Sequence, residues 1–101
     1  MYVCIWAFRV AADARNRFET AYGPDGPWVA LFRKARGYRE TWLCRDRDQA
    51  GRYVTVDVWE SRDVYDAFRH AFAAEYARID AECAALTQDE SPLGEFDTPH
   101  P

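Results

Sequence analysis

The spacing of apolar residues along this chain changes period repeatedly, and each change marks an element. From Tyr2 to Val10 both alternating faces are apolar, with Tyr2, Cys4, Trp6, Phe8 and Val10 on one and Val3, Ile5 and Ala7 on the other. That pattern predicts a strand buried on both sides. Asp13 then stands as an N-cap before Ala14, Phe18, Ala21 and Tyr22, which follow the helical period. The run Gly23-Pro-Asp-Gly-Pro27 must stop that helix, because proline removes a donor and fixes φ while glycine tolerates turn geometry. A second helix runs from Trp28 to Ala35, with Pro27 at its first position and Gly37 closing it. Tyr38–Arg45 and Arg52–Glu60 flank the polar turn 46–51 and predict a hairpin. Ser61 caps the longest helix, whose stripe is Phe68, Phe72, Tyr76, Ile79, Cys83 and Leu86. Thr87 and Glu90 read as a capping box for one further turn limited by Pro92, and Leu93 to Phe96 as a brief last strand.

Strand, helix, strand, strand, helix, strand is the βαββαβ order of an α+β, ferredoxin-like fold: a four-stranded antiparallel sheet with its helices on one face. The third strand carries Val54, Val56 and Val58 on one face and Tyr53, Thr55, Asp57 and Trp59 on the other. A sheet with one wet face would alternate with polar residues. Since the first and third strands are apolar on both faces and the helices suffice for one, a homodimer through the other sheet face is expected.

The chain is 101 residues with 49% hydrophobic and 16% aromatic content and a net charge of −4. It is read as one domain spanning residues 1–97, with 98–101 a tail. Neither a membrane span nor a signal peptide is recognisable, so a cytoplasmic location is expected. Acidic and basic residues are interspersed, which argues against nucleic acid or membrane as partner. Cys4, Cys44 and Cys83 are widely spaced and read as small buried residues rather than a disulfide or zinc set. His70 falls off the apolar stripe and His100 lies in the tail, so no metal site is expected. No hydrolase, nucleotide-binding or metalloprotease motif is present, and no cofactor is expected.

What remains is an aromatic excess around one carboxylate. Asp57 shares a face with Thr55 and Trp59, and Trp6 and Phe8 belong to the strand expected beside it. If that face meets the helices, Trp28, Phe32, Phe68, Phe72 and Tyr76 cover it. Aromatic walls with few polar groups suit a small planar aromatic ligand. Asp57 and Tyr76 are the candidates for assisting proton removal. The competing reading is structural, with Asp57 paired to an arginine or a tyrosine hydroxyl as buried carboxylates usually must be.

The series Trp6-Ala-Phe-Arg-Val, Tyr22-Gly-Pro-x-Gly-x-Trp28, Leu31-Phe32-Arg33, Gly37-Tyr38-x-x-Thr41, Arg52-Tyr53-x-Thr55-x-Asp57-x-Trp59-Glu60-Ser61 and Glu75-Tyr76 resembles the antibiotic biosynthesis monooxygenase-like family. The likeness runs from residue 2 to about 96. The third-strand Trp-Glu-Ser is widespread there, and the Tyr-Gly-Pro run marks a narrower branch. The resemblance implies a dimeric α/β barrel in which each subunit holds its own cavity between sheet and helices. Characterised relatives oxidise polyketide anthrones to quinones without metal or flavin, and others degrade haem or remove quinol-type metabolites. Trp59 falls where haem-degrading relatives place a pocket tryptophan. Their first-strand asparagine and helix histidine are replaced here by Trp6 or Ala7 and by the neighbourhood of Tyr76. Ala7 also departs from the acidic residue common in the narrow branch. The resemblance therefore implies a cofactor-independent monooxygenase or oxidase of a small aromatic or polyketide-derived substrate; the alternative is a non-catalytic binding or stress-response barrel.

Overall fold

The computed structural model describes residues 1–100. Its elements are β1 (Tyr2–Arg9), α1 (Arg15–Tyr22), α2 (Pro27–Phe32), β2 (Tyr38–Arg45), β3 (Arg52–Trp59), α3 (Arg62–Ala71), α4 (Ala73–Cys83) and β4 (Asp89–Asp97). The strands form one antiparallel sheet in the order β2-β3-β1-β4. This is the ferredoxin-like arrangement that the order of elements predicts.

Register assigns the faces. Tyr2 lies opposite Trp59, Cys4 opposite Asp57, Trp6 opposite Thr55 and Phe8 opposite Tyr53 on β3. From the other side β2 sets Thr41 against Asp57 and Leu43 against Thr55. These residues face the helices, and Tyr2, Phe8, Tyr53 and Trp59 join Phe18, Leu31, Phe32, Phe68 and Ile79 in one buried core. The opposite face carries Val3, Ile5, Val54, Val56 and Val58, all half-buried, with Trp42 set against Val56 and 56% exposed. Phe96, opposite Val3 on β4, is 49% exposed. No element of this chain covers that face among the described residues.

The glycine-proline break folds as its chemistry requires. Gly26 precedes α2 in extended conformation and Pro27 opens the helix. A Cβ on Gly26 would lie 2.2 Å from the carbonyl oxygen of Ala21, so only glycine lets the two helices meet this closely. Gly37 turns the chain into β2 with φ of +90°, and a Cβ there would press on Val64. Ser61 Oγ accepts from the backbone N–H of Val64 at 3.1 Å, capping α3 with Asp63 in its first turn.

The structure corrects several expectations. Asp13 caps nothing: a short 3-10 turn over Ala12–Ala14 precedes α1, and neither start carries a side-chain cap. The second long helix is two, broken at Phe72, whose φ of −112° and ψ of 26° leave helical geometry. The extra turn lies earlier than the Thr87–Glu90 pair, over Ala84–Leu86; the Thr87 hydroxyl merely meets the Glu90 side chain as the chain enters β4. That strand runs nine residues, not four, because it lies at the sheet edge and takes up Pro92 at a register shift opposite Ile5 and Trp6. Cys44, finally, is exposed on the uncovered face, whereas Cys4 and Cys83 are buried.

Candidate functional site

The break between α1 and α2 and the break between α3 and α4 leave room over the centre of the sheet. A cavity of about 240 Å³ opens there. Its floor is Trp6 and Phe8 of β1, Thr41 of β2, and Thr55 and Asp57 of β3. Tyr22, Trp28 and Phe32 form one wall, and Arg69, Tyr76, Asp80 and Glu90 the other and the rim. The volume is below the roughly 300–1,000 Å³ usual for drug-sized ligands, which suits a small planar molecule.

Asp57 is the polar group of the floor. Thr41 Oγ1 donates to its Oδ1 at 2.8 Å, and the Tyr38 hydroxyl donates to Thr41 Oγ1 at 2.8 Å. That chain holds one carboxylate oxygen, and no hydrogen bond holds the other among the described residues. No ion pair reaches Asp57 among the described residues. Burial therefore dominates, pushing its pKa up from 3.8 to about 6 against the downward pull of the Thr41 bond. The structural reading foresaw a compensating arginine or tyrosine; a neutral threonine stands there instead, and the charge stays uncompensated.

Tyr76 faces the same space from α4. Its ring meets Trp28 edge-on, with 4.9 Å between centroids, and the Arg69 guanidinium lies 3.8 Å from the centre of the Tyr76 ring. Burial raises the Tyr76 pKa above its usual value. A tyrosine that keeps its proton can donate a hydrogen bond and cannot serve as a base at neutral pH. The two candidates thus have different chemical capacities, a base in Asp57 and a donor in Tyr76.

The aromatic residues divide between lining and support. Trp6, Phe8, Trp28, Phe32 and Thr55 line the cavity with Asp57 and Tyr76. Trp59 does not: it is 0% exposed, packed among Phe32, Tyr38, Tyr65 and Phe68 at centroid distances of 5.0 to 5.4 Å. Its indole N–H is buried without a partner. Phe68 stacks behind the wall on Trp59 and Phe72, and Phe72 marks the helix break. None of these three is among the residues that line the cavity.

Sequence reasoning missed Thr41, Tyr22, Arg69, Asp80 and Glu90. Thr41 had a signal, since the hairpin register that leaves the 46–51 turn with Arg45 opposite Tyr53 and Leu43 opposite Thr55 brings Thr41 opposite Asp57, before a bulge shifts Tyr38 onto Trp59. Arg69 follows Tyr65 by one helical turn, and Arg69 Nη1 donates to the Tyr65 hydroxyl at 3.0 Å. Glu90 had none, because the Thr87–Glu90 pattern predicts a helical turn where β4 begins. Among the described residues no cluster of three His, Cys, Asp or Glu could hold a metal ion, and no helix is long and apolar enough to cross a membrane.

An antibiotic biosynthesis monooxygenase-type protein of Nitrosomonas europaea superposes with a TM-score of 0.74 at 15% identity, covering 99% of this chain and 91% of that one. SnoaB, a cofactor-independent oxygenase from Streptomyces nogalater, gives 0.69 at 23% identity over 99% of this chain and 94% of its own. A mutant of MhuD with two manganese protoporphyrin IX molecules per active site gives 0.71 at 23% identity, over 98% and 95%. At such identities the likeness is one of fold. No curated protein matches in sequence. The family model for antibiotic biosynthesis monooxygenases matches residues 1–78, more than half of the sequence. The chain belongs to the antibiotic biosynthesis monooxygenase family.

Proposed function

We propose that this protein is a cofactor-independent oxygenase or oxidase whose cavity holds a small planar aromatic substrate, with Asp57 as the base. The observation that carries this reading is an uncompensated carboxylate, with a pKa of about 6, on the floor of an aromatic cavity. A base works best when its pKa lies near the working pH, and burial has moved Asp57 there.

The chemistry suits an activated methylene between aromatic rings. Asp57 takes one proton from the carbon, and the ring system delocalises the carbanion. Its electrons pass to molecular oxygen, forming a C–O bond and, after protonation, a hydroperoxide. Loss of the second C–H proton breaks the O–O bond and expels hydroxide, leaving a carbonyl. Summed over these steps, one methylene and one molecule of dioxygen become one carbonyl and one water; the carbon is oxidised and the oxygen reduced. Tyr76 would donate to an oxygen of the substrate, and Trp28 and Phe32 would hold the ring. Thr41, fixed by Tyr38, would aim Asp57.

The same proposal includes a homodimer. Val3, Ile5, Val54, Val56, Val58 and Trp42 form a contiguous apolar sheet face that a monomer would leave to water. A second copy of the same face closes it by two-fold symmetry. The test of activity is oxygen uptake by the purified protein with a panel of anthrones and quinols under air. Uptake above buffer that Asp57→Asn abolishes supports the proposal, and no uptake with any substrate ends it. Ligand-dependent thermal stabilisation without uptake would favour a binding module instead.

A further inference from the structure

Arg69 has no part in the chemistry proposed above, yet it is the one cation lining the cavity among the described residues. Its guanidinium is fixed from two sides. The central carbon lies 3.8 Å from the centre of the Tyr76 ring, and Nη1 donates to the Tyr65 hydroxyl at 3.0 Å. Cation–π contact and the planar fork restrict its freedom, so a ligand that meets it spends little entropy ordering it. Among the described residues the Tyr65 hydroxyl is the one acceptor it meets, and no carboxylate pairs with it. Arg78, one helix on, is paired with Glu82, and Arg62 with Asp66 and Glu95.

The surrounding charges decide what this fork can take. The ring of a ligand fits between Trp28, Phe32 and the aromatic floor. An anionic group cannot point at Asp57, which is itself a carboxylate, so it must point outward, where Arg69 stands. Asp80 and Glu90 on the rim oppose a second negative charge. A guanidinium fork matches the two oxygens of a carboxylate better than a single hydroxyl.

We propose that Arg69 is the specificity-determining residue of this cavity, and that it selects an aromatic monocarboxylic acid, ring inward and carboxylate on the guanidinium. This rests on the cavity being the ligand site, as proposed above, and names the class of molecule it prefers. Oxygen chemistry at the far end of the ring is not required for it.

The test compares naphthoate with its neutral near-isostere naphthamide at neutral pH, by quenching of intrinsic tryptophan fluorescence. Wild-type protein should bind naphthoate about tenfold or more tightly than naphthamide, in the range of a charge-assisted bond. Arg69→Gln should abolish that preference and leave naphthamide affinity within about twofold. Tyr65→Phe keeps the charge but frees the fork, and should shrink the preference without removing it. Equal affinity of the wild type for both ligands, or a preference that survives Arg69→Gln, overturns the inference while leaving the cavity as a ligand site. Failure of both ligands to bind overturns the inference and the ligand-site reading together.

Discussion

Replacing Asp57 by asparagine keeps the side chain's shape and its acceptor for Thr41, and removes only the charge. In the fold this carboxyl titrates at about 6 against an ordinary 3.8. A raised folded pKa means that the folded chain holds the proton more tightly than the unfolded chain. Stability therefore increases as pH falls through 6 toward 3.8, and above 6 the penalty of the buried charge is fully present. At about 1.36 kcal/mol per pKa unit, the shift of roughly two units costs about 3 kcal/mol at pH 7. Asp57→Asn should thus stabilise the protein by about 3 kcal/mol at neutral pH, a rise of on the order of 10–20 °C in Tm for a chain this size. Urea unfolding at fixed protein concentration measures it, as a shift in midpoint with unchanged slope. The wild type should also gain roughly 1.3 kcal/mol between pH 7 and pH 5, and the variant should lack that gain. A variant less stable than wild type at pH 7, or one with the same pH slope, would refute the reasoning and return Asp57 to a structural role. Stability gained together with oxygen uptake lost is the signature of a site strained for its function.

Other consequences are open to simpler measurements. Thr41→Val removes the single bond that lowers the Asp57 pKa, so its apparent pKa should rise by about one unit or more, seen by carboxyl NMR titration. Val56→Asp places a charge at the centre of the uncovered sheet face, and sedimentation equilibrium should show the proposed homodimer in the wild type and its dissociation in the variant. A monomeric wild type would refute the homodimer, and an undisturbed dimer would place the interface elsewhere. Glu19 accepts from Arg45 at 2.6 Å and from the Tyr53 hydroxyl at 2.5 Å, and its pKa is lowered from 4.5 to about 2. The stability it contributes is complete above 4.5 and lost as pH falls toward 2, so Glu19→Gln should unfold with a flatter acid dependence over that window.

The fold was legible in the order of elements, and period-two alternation put Asp57, Thr55 and Trp59 on one face. Which side of the sheet that face meets is not a property of single strands and is decided only when the helices pack. Trp59 shows a further limit of alternation: parity puts it on the Asp57 face but not in the cavity, and four aromatic neighbours enclose it. Phe72 lies in an unbroken apolar stripe, so nothing local announces the break there. Pro92 misled in the opposite sense, since an edge strand accepts a proline that a central strand would reject. Thr41 and Arg69 reach the site from separate elements, and their parts depend on pairings made only when the chain is folded. Thr41 could have been found from the hairpin register; Arg69 needed the approach of α3 to α4.

The break at Phe72 divides the roof of the cavity into two pieces with separate allegiances. On one side α3 rests on the sheet through Phe68 and Trp59. Across the break, α4 is fastened to α2 by Tyr76 on Trp28, and to the turn that follows α2 by the Lys34–Glu75 ion pair at 2.9 Å. The stack of Arg69 on Tyr76 bridges the two halves. Phe68 reaches Tyr76 across the same break, with 6.4 Å between ring centroids, so one cavity-lining cation and one buried ring share the joint between the two helices. For anyone reshaping the cavity, the side chains that line it from α2 and α4, Trp28, Phe32 and Tyr76, stand on elements separate from the β2–β3 hairpin that carries Asp57 and Thr41.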